Sequence, residues 1–322
     1  MPGNVTFVHA SRLARRLLHR APAPLAMGTI SAARYEGAVP VRRGRKLGVA
    51  EFGTPDGRAL VWFHGTPGAR RQIPEDARRM AAEQGLRILG IDRPGVGLST
   101  PHQYDSVLDF VADLELVVDQ LGIERFSTVG LSGGAPYALA AAAGLPDRVP
   151  SVGILGGVVP TVGAGAVEGG LVGFVKRFSP VLPVIRVPAG YLLTALVRAA
   201  KPFGSQGLDL YARFSPPGDR EVLGRPEIKQ MFLDDLSGNG GRSMRAIVAD
   251  GILFTQDWGF DPREITVPVW WWHGDADNIV PLAHAQGLVP FLRQGTLVVR
   301  GGESHLGGLG IAREVLDTVL HW

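Results

Sequence analysis

The chain of 322 residues contains no cysteine. That absence excludes a disulfide framework, a thiolate metal site and a cysteine nucleophile, and it removes one argument for a secretory compartment. Long apolar runs are also lacking: the uncharged stretch Val149 to Val167, for example, contains five glycines and two prolines. A bilayer-spanning helix needs about 20 apolar residues in helical form. We therefore expect a cytoplasmic protein without a transmembrane helix.

Basic residues are scarce outside the N-terminal segment. Residues 1–46 contain nine Arg or Lys and one acidic residue, for a net charge of +8, whereas the remaining 24 basic and 29 acidic residues give −5. A mildly acidic body excludes a broad basic surface for nucleic acid. We interpret residues 1–26 as a disordered basic tail, and contact of this tail with an anionic membrane is the alternative.

Short apolar runs alternate with amphipathic helical stretches from about residue 45, which is the pattern of parallel βαβ units. The runs predicted to be strands are 60–63, 88–91, 126–131, 152–155, 267–272 and 296–299. The alternation stops between residues 158 and 262, where proline, glycine and helix-like apolar segments predominate. We therefore predict an α/β core formed by residues 27–157 and 263–322, with residues 158–262 inserted as a helical cap.

The pentapeptide Gly130 to Gly134 has the pattern G-x-S-x-G of a nucleophile elbow. In a chain with 44 glycines the pattern alone is weak. Its context strengthens it, because it follows a predicted strand and opens an alanine-rich helix, as a strand-to-helix elbow requires. The turn is so tight that bulk two residues on either side of the serine would clash. We predict that Ser132 is a nucleophile at the carboxyl end of the sheet.

A serine hydroxyl needs a base to remove its proton. The histidines considered for this role, which follow both the elbow and the late strands, are His284, His305 and His321. His321 is the penultimate residue, and His284 lies in a predicted helix. His305 lies in a glycine-rich loop directly after the last strand, where a mobile imidazole can reach the end of the sheet. We predict His305 as the base, and a surface-loop histidine is the alternative.

An acid should follow an earlier strand and orient the imidazole. The loop after the tryptophan-rich strand carries two candidates, Asp275 and Asp277. The strand that ends at Leu155 offers no rival, because no carboxylate occurs before Glu168. Both aspartates stay open on this reasoning.

Negative charge that develops on a substrate oxygen needs backbone donors. One candidate is the amide of Gly133, the residue after the nucleophile. The other lies in the loop His64-Gly65-Thr66-Pro67-Gly68, where Thr66 can donate its amide and Pro67 has no N–H. We interpret His64 as a structural histidine under this loop.

These motifs, in this order, resemble the α/β-hydrolase fold superfamily, in the branch that contains serine esterases, proline iminopeptidases and epoxide hydrolases. The resemblance covers about residues 45–157 and 263–322. It implies a mostly parallel eight-stranded sheet flanked by helices, with a helical cap insertion. It also implies that Asp277, more than Asp275, is the triad acid. Asp92 and Arg93 look like structural members of the family's turn after the fourth strand, without a catalytic role.

The serine at the elbow narrows the implied chemistry. Epoxide hydrolases and dehalogenases of the superfamily carry a carboxylate there, whereas a serine leads to an acyl-enzyme. We expect a serine hydrolase that cleaves carboxylic esters or related acyl compounds of small apolar substrates, without cofactor or metal. The alternatives are a proline iminopeptidase-like aminopeptidase, although that group usually has a bulkier elbow, a C–C bond hydrolase with the same triad, and a non-enzymatic small-molecule receptor or scaffold.

Large apolar residues of the predicted cap indicate the nature of the substrate. They are Phe174, Phe178, Tyr191, Leu192, Leu193, Phe203, Phe232 and Trp258. We expect most of them to form the core of the cap. A few should line the cleft between cap and sheet, which favours an apolar acyl or alcohol group.

Overall fold

A computed structural model describes residues 30–167, residues 188–236 except 189, 193, 197, 198 and 200, and residues 245–321. The predicted basic tail, residues 1–26, lies outside the described residues.

The described part of the chain is built around one eight-stranded sheet. The strands are β1 (Tyr35–Pro40), β2 (Lys46–Gly53), β3 (Arg58–Phe63), β4 (Leu86–Ile91), β5 (Phe126–Leu131), β6 (Val152–Leu155), β7 (Val269–Gly274) and β8 (Gly295–Arg300). Their order across the sheet is β1-β2-β4-β3-β5-β6-β7-β8. β2 runs antiparallel to both of its neighbours, and the six strands β3 to β8 are parallel to one another. The predicted mostly parallel sheet is confirmed.

The first two strands were not among the runs predicted from the sequence. β1 alternates buried and half-buried residues instead of forming a continuous apolar run, and it lies at the edge of the sheet. The surrounding basic residues are part of the fold here, because Arg34 pairs with Glu51 of β2 and Arg42 pairs with Asp113. Ion pairs between residues distant in sequence therefore hold a hairpin that local pattern does not reveal.

Helices cover both faces of the sheet. They are α1 (Glu75–Glu83), α2 (Val111–Gln120), α3 (Ala135–Gly144), α4 (Gly204–Phe214), α5 (Pro217–Gly224), α6 (Pro226–Asp235), α7 (Arg245–Phe254), α8 (Leu282–Leu288) and α9 (Ala312–Val319). Neighbouring residues of a strand point to opposite faces. Accordingly, Val61 and Phe63 pack with α2 and α3, whereas Leu60 and Trp62 pack with α1 and α9. Each face thus has its own apolar core.

The strand register brings the functional loops together. Phe63 of β3 is paired with Gly130 of β5, and Leu155 of β6 is paired with both Leu131 and Trp272. Because these strands are parallel, the loops that follow them all emerge at one edge of the sheet. That edge carries the elbow and the loops after β3, β7 and β8.

Helices α4 to α7 lie between β6 and β7, within the segment 158–262 that the sequence analysis predicts to be an insertion. The insertion packs on the core through Val222, Ile228 and Met231, which share an apolar cluster with Trp272 and Leu309. Among the described residues, no helix is both long and apolar enough to cross a membrane.

The large apolar residues of the insertion divide into two groups. Trp258 is buried, and Phe232 is half-buried against the core. Tyr191, Leu192 and Phe203 are 59 %, 64 % and 63 % exposed, so the expectation that they belong to the cap core is wrong for these three. Phe174, Phe178 and Leu193 lie outside the described residues.

Candidate active site

Ser132 stands on a strand-to-helix turn. β5 ends at Leu131, a single 3-10 turn spans Ser132–Gly134, and α3 begins at the next residue. The φ angle of Ser132 is 51°, in the left-handed region that non-glycine residues rarely adopt. Such backbone strain is concentrated at functional sites, where the surrounding structure maintains it.

The glycines around the serine are required by close approach. A Cβ added to Gly134 would lie 2.2 Å from the carbonyl oxygen of Phe63, and one added to Gly130 would lie 2.7 Å from the carbonyl oxygen of Gly134. Both distances are shorter than real Cβ atoms tolerate. The turn is therefore tight enough to hold the serine hydroxyl at the edge of the sheet, beside the N-terminus of α3.

The structure brings Ser132, His305 and Asp277 into one hydrogen-bonded chain. The hydroxyl of Ser132 is 2.8 Å from Nε2 of His305, and Nδ1 of His305 is 2.8 Å from Oδ2 of Asp277. All three side chains are buried. Because the carboxylate can only accept, Nδ1–H of His305 donates to it and Nε2 is free to accept the serine proton. This arrangement can transfer a proton away from Ser132.

Asp277 is held in its ionised form by several donors. Its Oδ1 accepts hydrogen bonds from the amides of Ile279 and Val280, at 2.8 and 2.9 Å. Burial by itself raises the pKa of Asp277, but the hydrogen bonds from His273 and His305 outweigh burial and hold this pKa well below its usual range. A carboxylate that stays ionised can stabilise the imidazolium that forms when His305 takes a proton.

His273 is a member of the site that the sequence analysis missed. It lies at the end of β7, fully buried, with Nε2 2.7 Å from the carbonyl of Val280 and 3.4 Å from Oδ2 of Asp277. The indole of Trp271 donates to its Nδ1, so Nε2 carries the proton. His273 therefore buttresses both Asp277 and the loop that carries it. Its position two residues before the acid-bearing loop was the available signal.

The two candidate acids have different partners. Asp275 accepts a hydrogen bond from the amide of Gly302, at 2.8 Å, and thereby ties the loop after β7 to the loop after β8. Asp277, in contrast, contacts the imidazole of His305 directly. The geometry favours Asp277 as the residue that orients His305.

The two predicted backbone donors lie next to each other. A Cβ added to Gly133 would be 2.3 Å from Oγ1 of Thr66, so the loop after β3 packs directly against the elbow. Gly133 is also the residue after the serine, at the N-terminal end of α3, where a helix favours negative charge. Thr66 and Gly133 therefore lie side by side next to Ser132.

A buried arginine supports the segment 64–68, which we call the oxyanion loop. Arg93 donates to the carbonyl oxygens of His64 and Gly65, and its Nη2 lies 2.6 Å from Oγ1 of Thr66. His64 is fully buried, contacts the carbonyl of Gly65 through Nδ1 and accepts from the amide of Arg93 through Nε2. Burial, followed by the charge of Arg93, lowers the pKa of His64 well below its usual value. A neutral histidine engaged at both ring nitrogens suits the structural role predicted for it.

Asp92 also has structural partners. Its carboxylate accepts from the amide and guanidinium of Arg70, each at 2.8 Å, and from the amide of Leu98 at 2.9 Å. It thus closes the turn after β4. The structural interpretation of Asp92 is consistent with these contacts.

Buried carboxylates connect the insertion to the core. Asp219 of α5 accepts from the amide of Leu306, next to His305, at 3.0 Å. Asp235 of α6 accepts from the amide of Arg71, just beyond the oxyanion loop, at 3.3 Å. No sequence motif marks these residues, because each finds its partner only when the insertion folds onto the sheet.

Asp235 should make stability depend on pH. Burial, followed by the charge of Asp92, raises the pKa of Asp235 to about 7, whereas an unfolded aspartate titrates near pH ~3.9. The folded state therefore holds the proton more tightly, so this group's contribution to stability is complete below pH ~4 and is lost as pH rises towards 7. We expect the free energy of unfolding to fall over that window, by up to ~4 kcal/mol from this carboxyl.

Asp235→Asn keeps an oxygen acceptor for the amide of Arg71 but cannot ionise. Urea unfolding of the wild type and this variant from pH 4 to pH 8 should show a shallower decline in the variant. Parallel curves for the two proteins would contradict the assignment.

Comparisons with known proteins bear on the same part of the chain. The family model described as alpha/beta hydrolase fold matches residues 58–172, which include the oxyanion loop and the elbow. A proline iminopeptidase from Neisseria meningitidis is 38% identical over 102 residues, which is 31% of this chain and 32% of that protein. The chain thus spans about a third of the length of the curated relatives it matches.

Solved structures resemble the chain over a longer range. An esterase from Exiguobacterium antarcticum has a TM-score of 0.63 at 18% identity, covering 88% of this chain and 98% of that one. A bromoperoxidase from Bacillus anthracis has a TM-score of 0.62 at 20% identity, with the same coverage of 88% and 98%. At this level of identity the likeness concerns the fold alone.

Proposed function

The chain has the α/β-hydrolase fold, and from this premise we propose that it is a serine hydrolase that cleaves carboxylic esters, or related acyl compounds, of small apolar substrates. The observation that carries the proposal is the hydrogen-bonded chain from Ser132 through His305 to Asp277, with 2.8 Å at each link. A scaffold or receptor has no need of a strained serine, an oriented histidine and an ionised acid in series. The non-enzymatic alternative therefore ranks last.

The proposed reaction proceeds through an acyl-enzyme. Oγ of Ser132 attacks the carbonyl carbon while Nε2 of His305 takes the hydroxyl proton, and the amides of Thr66 and Gly133 hold the oxyanion. His305 then gives the proton to the leaving alcohol, and the acyl group stays on Ser132. Water, deprotonated by His305, attacks the acyl carbonyl, and the carboxylic acid leaves as Ser132 regains its proton.

We propose that residues 158–262 act as a cap that supplies an apolar wall. Two contacts support this: the amide of Val158 donates to the carbonyl of Ser132 at 3.1 Å, and the ring of Phe254 lies against Gly133, 3.1 Å from where a Cβ would be. Both residues are apolar and buried. An acyl chain is therefore the group that best suits the surroundings of Ser132. We propose separately that the protein acts in the cytoplasm.

Esters of increasing acyl length test this proposal. We expect p-nitrophenyl butyrate and hexanoate to have a higher kcat/KM than the acetate, because each buried methylene is worth up to ~0.8 kcal/mol, or roughly a factor of four. The measurement is initial-rate hydrolysis across the series, with labelling of Ser132 by a fluorophosphonate in parallel. Flat or reversed chain-length dependence would count against an apolar pocket, and absence of both turnover and labelling would overturn the serine-hydrolase proposal.

A second candidate is a proline iminopeptidase-like activity. The observation that favours it is the local identity to proteins named proline iminopeptidase. The similar segment covers only about a third of those proteins, so the identity does not extend to the rest of their length. Release of p-nitroaniline from proline p-nitroanilide, faster than ester cleavage at equal concentration, would place this candidate first.

A further inference from the structure

Asp250 lies on α7 of the insertion, and its carboxylate forms hydrogen bonds with residues of the α/β core. The side chain is almost completely buried. Its Oδ1 accepts from the hydroxyl of Tyr137 at 2.9 Å, and its Oδ2 accepts from the hydroxyl of Thr66 at 3.2 Å and from Nε of Arg93 at 3.0 Å. One insertion residue thus contacts α3, the oxyanion loop and the turn after β4.

Arg93 and Asp250 form a buried ion pair that contacts the oxyanion loop, which Gln72 also holds through hydrogen bonds with Gly65 and Pro67. Arg93 is 1 % exposed, and among the described residues Asp250 is the only carboxylate in an ion pair with it. Buried charges are tolerated when they are paired and hydrogen-bonded. With Asp250 as its counter-ion, Arg93 can direct its remaining donors to the carbonyls of His64 and Gly65 and to Thr66.

The hydroxyl of Thr66 connects this pair to a predicted donor amide. It accepts from Nη2 of Arg93 at 2.6 Å and donates to Oδ2 of Asp250. The hydroxyl thus both donates and accepts, which restricts the rotamer of Thr66. The same helix also reaches the second donor, since Phe254, four residues after Asp250 and on the same face of α7, packs against Gly133.

We propose that Asp250 is a positioning residue, which holds the oxyanion loop through Arg93 and Thr66 and so couples docking of the insertion to the competence of the oxyanion hole. The proposal rests on the proposed serine-hydrolase function. Asp250 touches no reacting atom. Its effect is to fix the amide of Thr66 where charge develops in the transition state, so it should change kcat far more than KM.

Asp113 offers a matched control elsewhere in the core. It is also a fully buried aspartate bonded to a tyrosine hydroxyl and to arginines, in this case Tyr104, Arg42 and Arg45. It holds α2 to the β1–β2 hairpin and has no contact with the oxyanion loop. Asp113→Asn and Asp250→Asn therefore remove the same kind of charge from the same kind of network.

The experiment compares these two variants with the wild type on p-nitrophenyl butyrate. We expect Asp250→Asn to lower kcat by roughly 10- to 100-fold, less than the loss of about 10²- to 10³-fold for removal of an oxyanion donor itself, with KM changed less than about threefold. Asp113→Asn should lower the midpoint of thermal unfolding while leaving kcat within about twofold. The double variant Asp250→Asn with Thr66→Val should lose no more than Asp250→Asn alone, because both changes cut the same connection. Equal kcat losses in the two aspartate variants, or full additivity in the double variant, would overturn the proposal.

Amide hydrogen exchange gives a readout that does not need turnover. In Asp250→Asn, exchange of the peptide that contains residues 64–68 should speed up by at least about tenfold, with no such change in Asp113→Asn. If the wild type neither hydrolyses esters nor reacts with a fluorophosphonate, the proposed function fails, and unchanged exchange in this peptide would overturn the positioning role as well. If Asp250→Asn does not fold, Thr66→Val replaces it, and wild-type kcat and exchange in that variant would sink the proposal.

Discussion

Ser132→Ala is expected to lower kcat for p-nitrophenyl butyrate by about 10⁶-fold. The remaining rate enhancement comes from substrate binding and oxyanion stabilisation alone. Alanine removes the nucleophilic oxygen that lies 2.8 Å from Nε2 of His305 and leaves no atom to carry the acyl group. The backbone should tolerate the change, because an alanine at φ 51° is no more strained than the serine it replaces. Steady-state kinetics and circular dichroism together separate lost chemistry from lost fold.

Ser127→Ala is a suitable control for this variant. Ser127 lies on β5, the strand that leads to Ser132, is fully buried, and hydrogen-bonds the carbonyl of Val319 at the end of α9. Its loss should reduce stability and leave kcat within about twofold. If Ser132→Ala kept more than about a tenth of wild-type turnover, water or another side chain would be the nucleophile, and the acyl-enzyme mechanism would be wrong.

Asp277→Asn should lower kcat by about 10⁴-fold, whereas Asp275→Asn should cost less than about tenfold. An asparagine at 277 presents an amide to Nδ1 of His305, which favours the tautomer with its proton on Nε2 and so blocks the acceptance of the serine proton. Asp275 instead accepts from the amide of Gly302, so its replacement loosens a loop without changing the tautomer. The measurement is kcat for both variants on one ester at one pH.

The reverse order of losses would assign the triad acid to Asp275 and would mean that the loop after β7 rearranges when substrate binds. Comparable losses in both variants would indicate that the two carboxylates act together on His305. A His273→Gln variant adds information, because His273 contacts Asp277 but not His305. Its kinetic defect should resemble a weaker form of Asp277→Asn.

Local signals sufficed for most of the core. Short apolar runs predicted β3 to β8 close to their observed bounds. For β3 to β7 the reason is that a strand buried on both faces is mostly apolar, whereas β8 is a half-buried edge strand. The elbow could also be predicted from the sequence. The close approach of Gly134 to Phe63 leaves no room for a side chain, so glycine is required at that position. β1 was missed because a half-buried edge strand with basic residues around it carries no such pattern, and β2, although buried, was not predicted either.

The amino-acid sequence by itself determined the fold class, the order of the motifs and the candidacy of Ser132 and His305, since each of these depends on residues close together in the chain. Only the tertiary structure decided which aspartate contacts His305, that His273 supports it, and that Asp250 crosses from the insertion to the oxyanion loop. Those partners are separated by 28 residues for Asp277 and His305 and by 184 residues for Thr66 and Asp250. Which buried charges pair depends on how whole helices and strands pack, and a local sequence pattern does not predict that pairing.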